Sequence, residues 1–162
     1  MIPLVLLIIT LYTAVINYPG LPENIPIDFD SKGMVDDWAG KEMVFFYPGI
    51  STLIYAVFSA IGISMAVIND PKRLINMPRQ WKDRLTAEDI ESLRPMLIRF
   101  LYILKIVIMG MMAYLLYSSV EIAMGRAASV DSLPLYLFTL GIIGITGLLM
   151  WKLFRLVFTR EE

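Results

Sequence analysis

The chain contains no cysteine and no histidine. Without cysteine there is no disulfide, no thiolate nucleophile and no Cys-ligated metal, although the compartment stays open. Without histidine the commonest general base and the commonest transition-metal ligand are both missing. A metalloprotease or His-dependent hydrolase therefore drops out of the field, and the reading is of a non-enzymatic protein with no cofactor. Charge is also scarce, at 18% of residues, against about a quarter in soluble domains. The net charge of −1 supplies no field for binding nucleic acid. Long polar stretches are few: Tyr18–Lys41 is the only one before residue 69.

What is present is apolar sequence. Hydrophobic residues make up 57% of the chain and mean hydropathy is +0.67. Runs of roughly 18 or more apolar residues indicate a bilayer as solvent. Ile2–Tyr18 is the first run. It has no basic n-region and no small-residue cleavage site before Pro19, so it reads as a retained span rather than a signal peptide. Pro48 suits the first turn of a helix and disfavours helix at Tyr47, which sets the second span at 48–69. Asn69-Asp70-Pro71 stops it. Thr86 and Asp89 form a capping-box pattern for a short surface helix, Ala87–Arg94, with Ile90 and Leu93 as its buried positions and Trp81 as an interfacial anchor. Pro95 then opens a third span at 96–124. After Gly125–Leu133, capped by Asp131 or Ser132 with Pro134 in the first turn, a fourth span covers 134–158. The fold expected is an all-α integral membrane protein: a four-transmembrane-helix bundle with an ordered acidic extracytoplasmic loop at 18–42 and a cytoplasmic loop at 70–94.

Basic residues fix the orientation. The 70–99 stretch holds seven Lys/Arg, and Lys152, Arg155 and Arg160 lie at the C-terminal end. The other two loops hold only Lys32, Lys41 and Arg126. Basic residues stay on the cytoplasmic side, so both termini are placed in the cytoplasm and Tyr18–Lys41 outside the cell membrane. The basic segment Lys72–Arg84 reads either as a plain topology determinant or as a site for a cytoplasmic partner or anionic lipid.

The outer loop carries Pro19, Pro22 and Pro26, a Ser31-Lys32-Gly33 turn and six carboxylates counted to Glu42, for a net −4 from Glu23 to Glu42. Prolines lower the entropy of the unfolded segment, and Ile27, Phe29 and Trp38 give it apolar surface to bury, so it reads as compact. The pattern Leu21-Pro22, Ile25-Pro26-Ile27, Phe29, Gly33, Asp36 or Asp37, Trp38 and Lys41, followed by a span with Pro48, resembles the bacterial and archaeal membrane family catalogued as domain of unknown function 1648, found in SdpI-like immunity proteins. The resemblance covers about residues 1–65. It implies a role in immunity to a secreted peptide toxin and in signalling its presence. Asp28 stands where that family usually carries histidine, so no role resting on an imidazole carries over.

Candidate contact or lid residues are Ile27, Asp28, Phe29, Trp38 and Lys41. Asp28, Asp30 and Asp36 resemble the opening of a calcium loop, but Lys32 and Ala39 occupy positions that should supply oxygen ligands; a solvated turn is the alternative. Lys105 is an intramembrane charge, a functional-site hypothesis by default, with snorkelling to the cytoplasmic surface as the favoured reading. Glu121 reads as interfacial. Met109, Met111, Met112 and Met124 read as packing rather than as a copper site. Small-residue faces at Ala56/Ala60/Ser64 and Gly141/Gly144/Gly147 offer close helix packing, and hence homo- or hetero-oligomers. Three functions follow: a binding or immunity-type protein for an extracytoplasmic peptide or envelope component, an accessory subunit of a larger membrane complex, or a transporter or lipid-active protein using Lys105.

Overall fold

A computed structural model describes residues 1–67, 78–82 and 86–158. The expected stop at Asn69-Asp70-Pro71, Lys72, Arg73, Arg84 and Arg160 lie outside the described residues, as do the side chains of Trp81, Lys82 and Ile90. The helices are α1 (Ile2–Asn17), α2 (Phe46–Val67), the single turn α3 (Arg79–Lys82), α4 (Ala87–Ala123) and α5 (Ser132–Phe158). Four segments built on α1, α2, α4 and α5 are long and apolar enough to cross a membrane, the pattern of a multi-pass membrane protein.

The all-α expectation needs one correction. Between α1 and α2 the chain forms an antiparallel hairpin, β1 (Asn24–Phe29) with β2 (Val35–Gly40). Short 3-10 turns flank it at Tyr18–Gly20 and Lys41–Phe45. The pairing Pro26↔Trp38, Asp28↔Asp37, Phe29↔Val35 leaves Ile27 extra on one strand and Asp36 extra on the other. Each bulge re-aims the side chains beyond it. Ahead of the first bulge, consecutive Ile25 and Pro26 are both buried, so strict alternation is lost there too.

α4 is the central helix, packing against α1, α2, β1 and α5. On α1, burial follows Pro3, Leu7, Thr10 and Ala14, the alternating three- and four-residue spacing of a narrow helix seam. Thr10 satisfies its hydroxyl by donating to the Leu6 carbonyl at 2.7 Å. The other faces of α1 are apolar and exposed, as at Ile8 and Val15. The main core lies at the hairpin end, where Ala14, Leu21, Ile25, Val44, Tyr47, Leu116 and Val120 cluster. Met112 and Met124 pack against this cluster and Met109 is fully buried.

Two helix boundaries differ from expectation. α2 begins at Phe46, which places Pro48 in its first turn. α4 runs unbroken through Pro95. Proline there removes the N–H that would bond to the Glu91 carbonyl, and with the ring itself exposed the helix is held by contacts of its neighbours. Leu93 is buried just before it. Arg94 also donates from Nη1 to the α2 carbonyls of Met65 at 2.8 Å and Ala66 at 3.2 Å, satisfying carbonyls near the end of α2 while tying it to α4. The Thr86/Asp89 capping box is formed, but it starts the whole 37-residue helix rather than a separate short one. Asp131 caps α5, its Oδ1 accepting from the Leu133 N–H at 3.0 Å.

Candidate functional site: the hairpin cap

The hairpin sits over the ends of α1, α2 and α4 and is fixed on three sides. On its inner side Ile25 is fully buried. Pro26 has no N–H for the ladder, and its carbonyl points the other way, accepting from the buried Ser119 hydroxyl of α4 at 2.5 Å. The outer edge of β1 is thereby covered by a helix, which removes the pairing hazard of an open edge. At the base, the Lys41 N–H donates to the Glu23 carbonyl at 2.9 Å. The Lys41 ammonium lies 5.3 Å from the Tyr18 ring centroid, and the Tyr18 ring packs against Phe45 in a tilted arrangement with centroids 5.2 Å apart.

The tip is held by the α4–α5 connection. Asp30 Oδ1 accepts from the N–H groups of Lys32 and Met34, both at 2.8 Å, closing the turn. Gly33 adopts φ +79°, a conformation glycine reaches without penalty. Its carbonyl accepts from the Val130 N–H at 2.8 Å, and the Tyr136 hydroxyl donates to the Ser31 carbonyl at 2.8 Å. The connection is itself ordered. Gly125 at φ +70° ends α4 with the Arg126 N–H bonded to the Glu121 carbonyl and its own N–H bonded to Ile122, a Schellman arrangement. Glu121 forms an ion pair with Arg126 at 2.6 Å. Tyr114 donates to the Asp131 carbonyl at 2.8 Å.

What this frame leaves outward is acidic. Glu23, Asp28, Asp30, Asp36, Asp37 and Glu42 are all exposed. Asp28 and Asp37 stand directly opposite each other, a like-charge pair that destabilises a ladder unless something positive lies between. Each instead accepts the next residue's N–H through Oδ1, at 2.9 and 2.8 Å. Trp38 is 52% exposed and Met34 53%.

The five candidate contact residues thus separate. Ile27 packs partly against the core, Phe29 is half-buried, and Asp28 and Trp38 face out. Lys41 belongs to the base. Trp38 is not the inward anchor that its size suggests: Ile25, paired with Ala39 one step along the ladder, is the fully buried side chain, and Trp38 stays on the exposed side. No three carboxylates among the described residues are grouped to hold one metal ion. Asp28, Asp30 and Asp36 do not converge, and Asp30 is occupied in bracing the turn. Ser119, Val130 and Tyr136 were invisible as partners of the hairpin. They lie about a hundred residues away in sequence, and no local pattern marks them.

A second polar site lies within the helices. Lys105, 8% exposed, donates from Nζ to Ser59 Oγ of α2 at 3.0 Å. Its Nζ also stands 4.8 Å from the Tyr55 ring centroid. The side chain turns into the α2–α4 interface instead of snorkelling, because Ser59 and Tyr55 offer a hydrogen bond and a π face at the same level. Ala56, Ala60 and Ser64 lie exposed on α2. On α5, Gly141 meets Val107 of α4, and Gly144 and Gly147 meet nothing within 4 Å.

Among curated proteins and among solved structures, nothing matches the chain. Residues 5–52, comprising most of α1, the whole hairpin and the first turns of α2, match the family described as a domain of unknown function (DUF1648).

Proposed function

We propose that this is a multi-pass protein of the cell membrane whose hairpin cap, on the outer face, binds a cationic peptide or a cationic envelope component without catalysing a reaction. The observation that carries this reading is the contrast within the cap. Its inner side, base and tip are pinned by Ile25, Ser119, Lys41, Val130 and Tyr136, while six carboxylates and half of Trp38 stay exposed. A rigid surface gives up little entropy on binding. A positive group between Asp28 and Asp37 relieves their repulsion and gains charge-assisted hydrogen bonds. Trp38 and Met34 supply apolar contact beside the charge, as binding surfaces commonly do. The immunity role implied by the SdpI-like resemblance is one form of this function. Topology agrees with it: Arg94, Arg99, Lys152 and Arg155 lie at the end away from the hairpin, which the positive-inside rule assigns to the cytoplasm.

The test uses the full chain in nanodiscs and two peptides, one amphipathic and lysine-rich, the other its glutamate-substituted twin. The lysine peptide should bind, weaken as salt rises, and lose about tenfold or more in affinity on Asp28→Asn/Asp37→Asn, the loss of one charge-assisted hydrogen bond of about 1.5–3 kcal/mol. Equal binding of both peptides, or indifference to the double substitution, would remove the proposal.

A further inference from the structure

α4 and α5 touch near the hairpin end and separate at the other. Phe138 and Gly110 meet, as do Gly141 and Val107. Carried along two antiparallel helices, these contacts place Ile145 level with Ile103 and Lys152 level with Met96. An open groove of about 520 Å³ begins at the Ile103/Ile145 level and runs to Ser92. Along α4 that is roughly 16 Å at 1.5 Å per residue. The volume falls within the range of ligand sites.

The chemistry of the groove changes along its length. Its deep part is walled by Phe100, Ile103, Ile145 and Leu148. Arg99 and Lys152, one from each helix, line the part nearer the mouth. Both are exposed, and neither has an ion-pair partner among the described residues. Two cations with no ion-pair partner among the described residues, facing one apolar channel, call for an occupant that is anionic at one end and hydrocarbon at the other. A free inorganic anion would leave the apolar walls unused, and a zwitterionic lipid would set its own cation against Arg99 and Lys152.

We propose that this groove holds an acyl chain of an anionic phospholipid, with its phosphate between Arg99 and Lys152. The inference rests on the reading that the chain spans a membrane. Lysine and arginine stems can lie along apolar surface while their charged ends reach a headgroup. The basic end is also the one that the positive-inside rule turns to the anionic cytoplasmic leaflet.

The test reconstitutes the full chain in nanodiscs of phosphatidylcholine with a minor share of phosphatidylglycerol, then reads retained lipid by native mass spectrometry. Phosphatidylglycerol should be retained well above its share of the bilayer. Arg99→Gln and Lys152→Gln should each lower retention about fivefold, and the double variant about twenty-fivefold, as expected for one surface cation each. Arg99→Lys and Lys152→Arg should keep it. Ile145→Trp, which fills the apolar end and leaves both cations, should also reduce it. Retention that mirrors bilayer composition in the wild type overturns the proposal without recourse to any variant. So does a double variant that retains lipid normally, or displacement of the lipid by millimolar inorganic phosphate, which would indicate a simple anion site. Failure of the chain to enter nanodiscs at all would strike the membrane reading itself, a different outcome from insertion without selective retention.

Discussion

Two glycines with the same backbone conformation separate what conformation demands from what packing demands. Gly33 has φ +79° and Gly125 φ +70°. A side chain at either costs about 1–2 kcal/mol for the left-handed region. Their surroundings differ completely: a Cβ at Gly125 meets nothing within 4 Å, whereas one at Gly33 would sit 2.1 Å from the Val130 carbonyl oxygen. Relief to ordinary contact at 3.4 Å requires about 1.3 Å of separation between two backbones. That movement breaks the 2.8 Å bond from the Val130 N–H to the Gly33 carbonyl, worth about 0.5–1.5 kcal/mol directly and about 1–3 if a polar group is left buried and unpaired.

The two costs fall on different amides. Hydrogen exchange at the Asp30 N–H, which bonds to the Met34 carbonyl, reports the turn; exchange at the Val130 N–H reports docking of the tip. Gly33→Ala should accelerate the Asp30 amide about 5- to 30-fold and the Val130 amide about 5- to 150-fold, converting those energies at 1.4 kcal/mol per decade. Asn tolerates the left-handed region, so Gly33→Asn should restore most of the protection at Asp30 and none at Val130. Gly125→Ala should speed the amides of the α4 cap, Arg126 among them, and leave Asp30 and Val130 unchanged, and Gly125→Asn should largely rescue them. A Val130 amide as protected in Gly33→Ala as in the wild type would refute the account of how the tip is held. Rescue of both amides by Gly33→Asn would show that only conformation matters there.

Lys105→Met keeps the stem and removes an ammonium that has no carboxylate partner among the described residues, so thermal stability in nanodiscs should change by no more than about 1 kcal/mol, as for buried ionic groups replaced by apolar isosteres. Ser59→Ala leaves the ammonium in place without its acceptor and should cost more, about 1–3 kcal/mol; the reverse ranking would show that Lys105 is not held by Ser59. Ser119→Ala strands the buried Pro26 carbonyl and should cost about 1–3 kcal/mol, with faster proteolysis of the hairpin as the readout. Unchanged proteolysis would mean that the 2.5 Å contact does not hold β1 to α4.

The four apolar helices were legible because hydropathy sums over about twenty residues, and no single neighbour can reverse the sum. Local rules were less secure. The capping box at Thr86 and Asp89 formed as the sequence indicated, since both partners lie within one turn. Pro95 broke its own rule because the contacts that keep α4 continuous come from α2, through Arg94 and the carbonyls of Met65 and Ala66. The hairpin was hidden by composition. Its strands carry a proline in β1 and three aspartates, Asp28, Asp36 and Asp37, and its two bulges cancel the alternation by which strands are recognised. It remains a strand pair because α4 accepts its edge and the α4–α5 connection accepts its tip, and an isolated two-stranded hairpin would be marginal in water. The same dependence explains why the acidic surface could be seen in sequence and its geometry could not: charge is a property of residues 23–42, whereas rigidity is supplied by Ser119, Val130 and Tyr136. A hairpin cut from this frame should therefore keep its affinity for cations only as a flexible polyanion does, without a defined distance between Asp28 and Asp37. Selectivity between peptides of equal charge and different spacing is thus expected of the full chain, and a free peptide spanning residues 18–42 that discriminated equally well would show that the frame is dispensable.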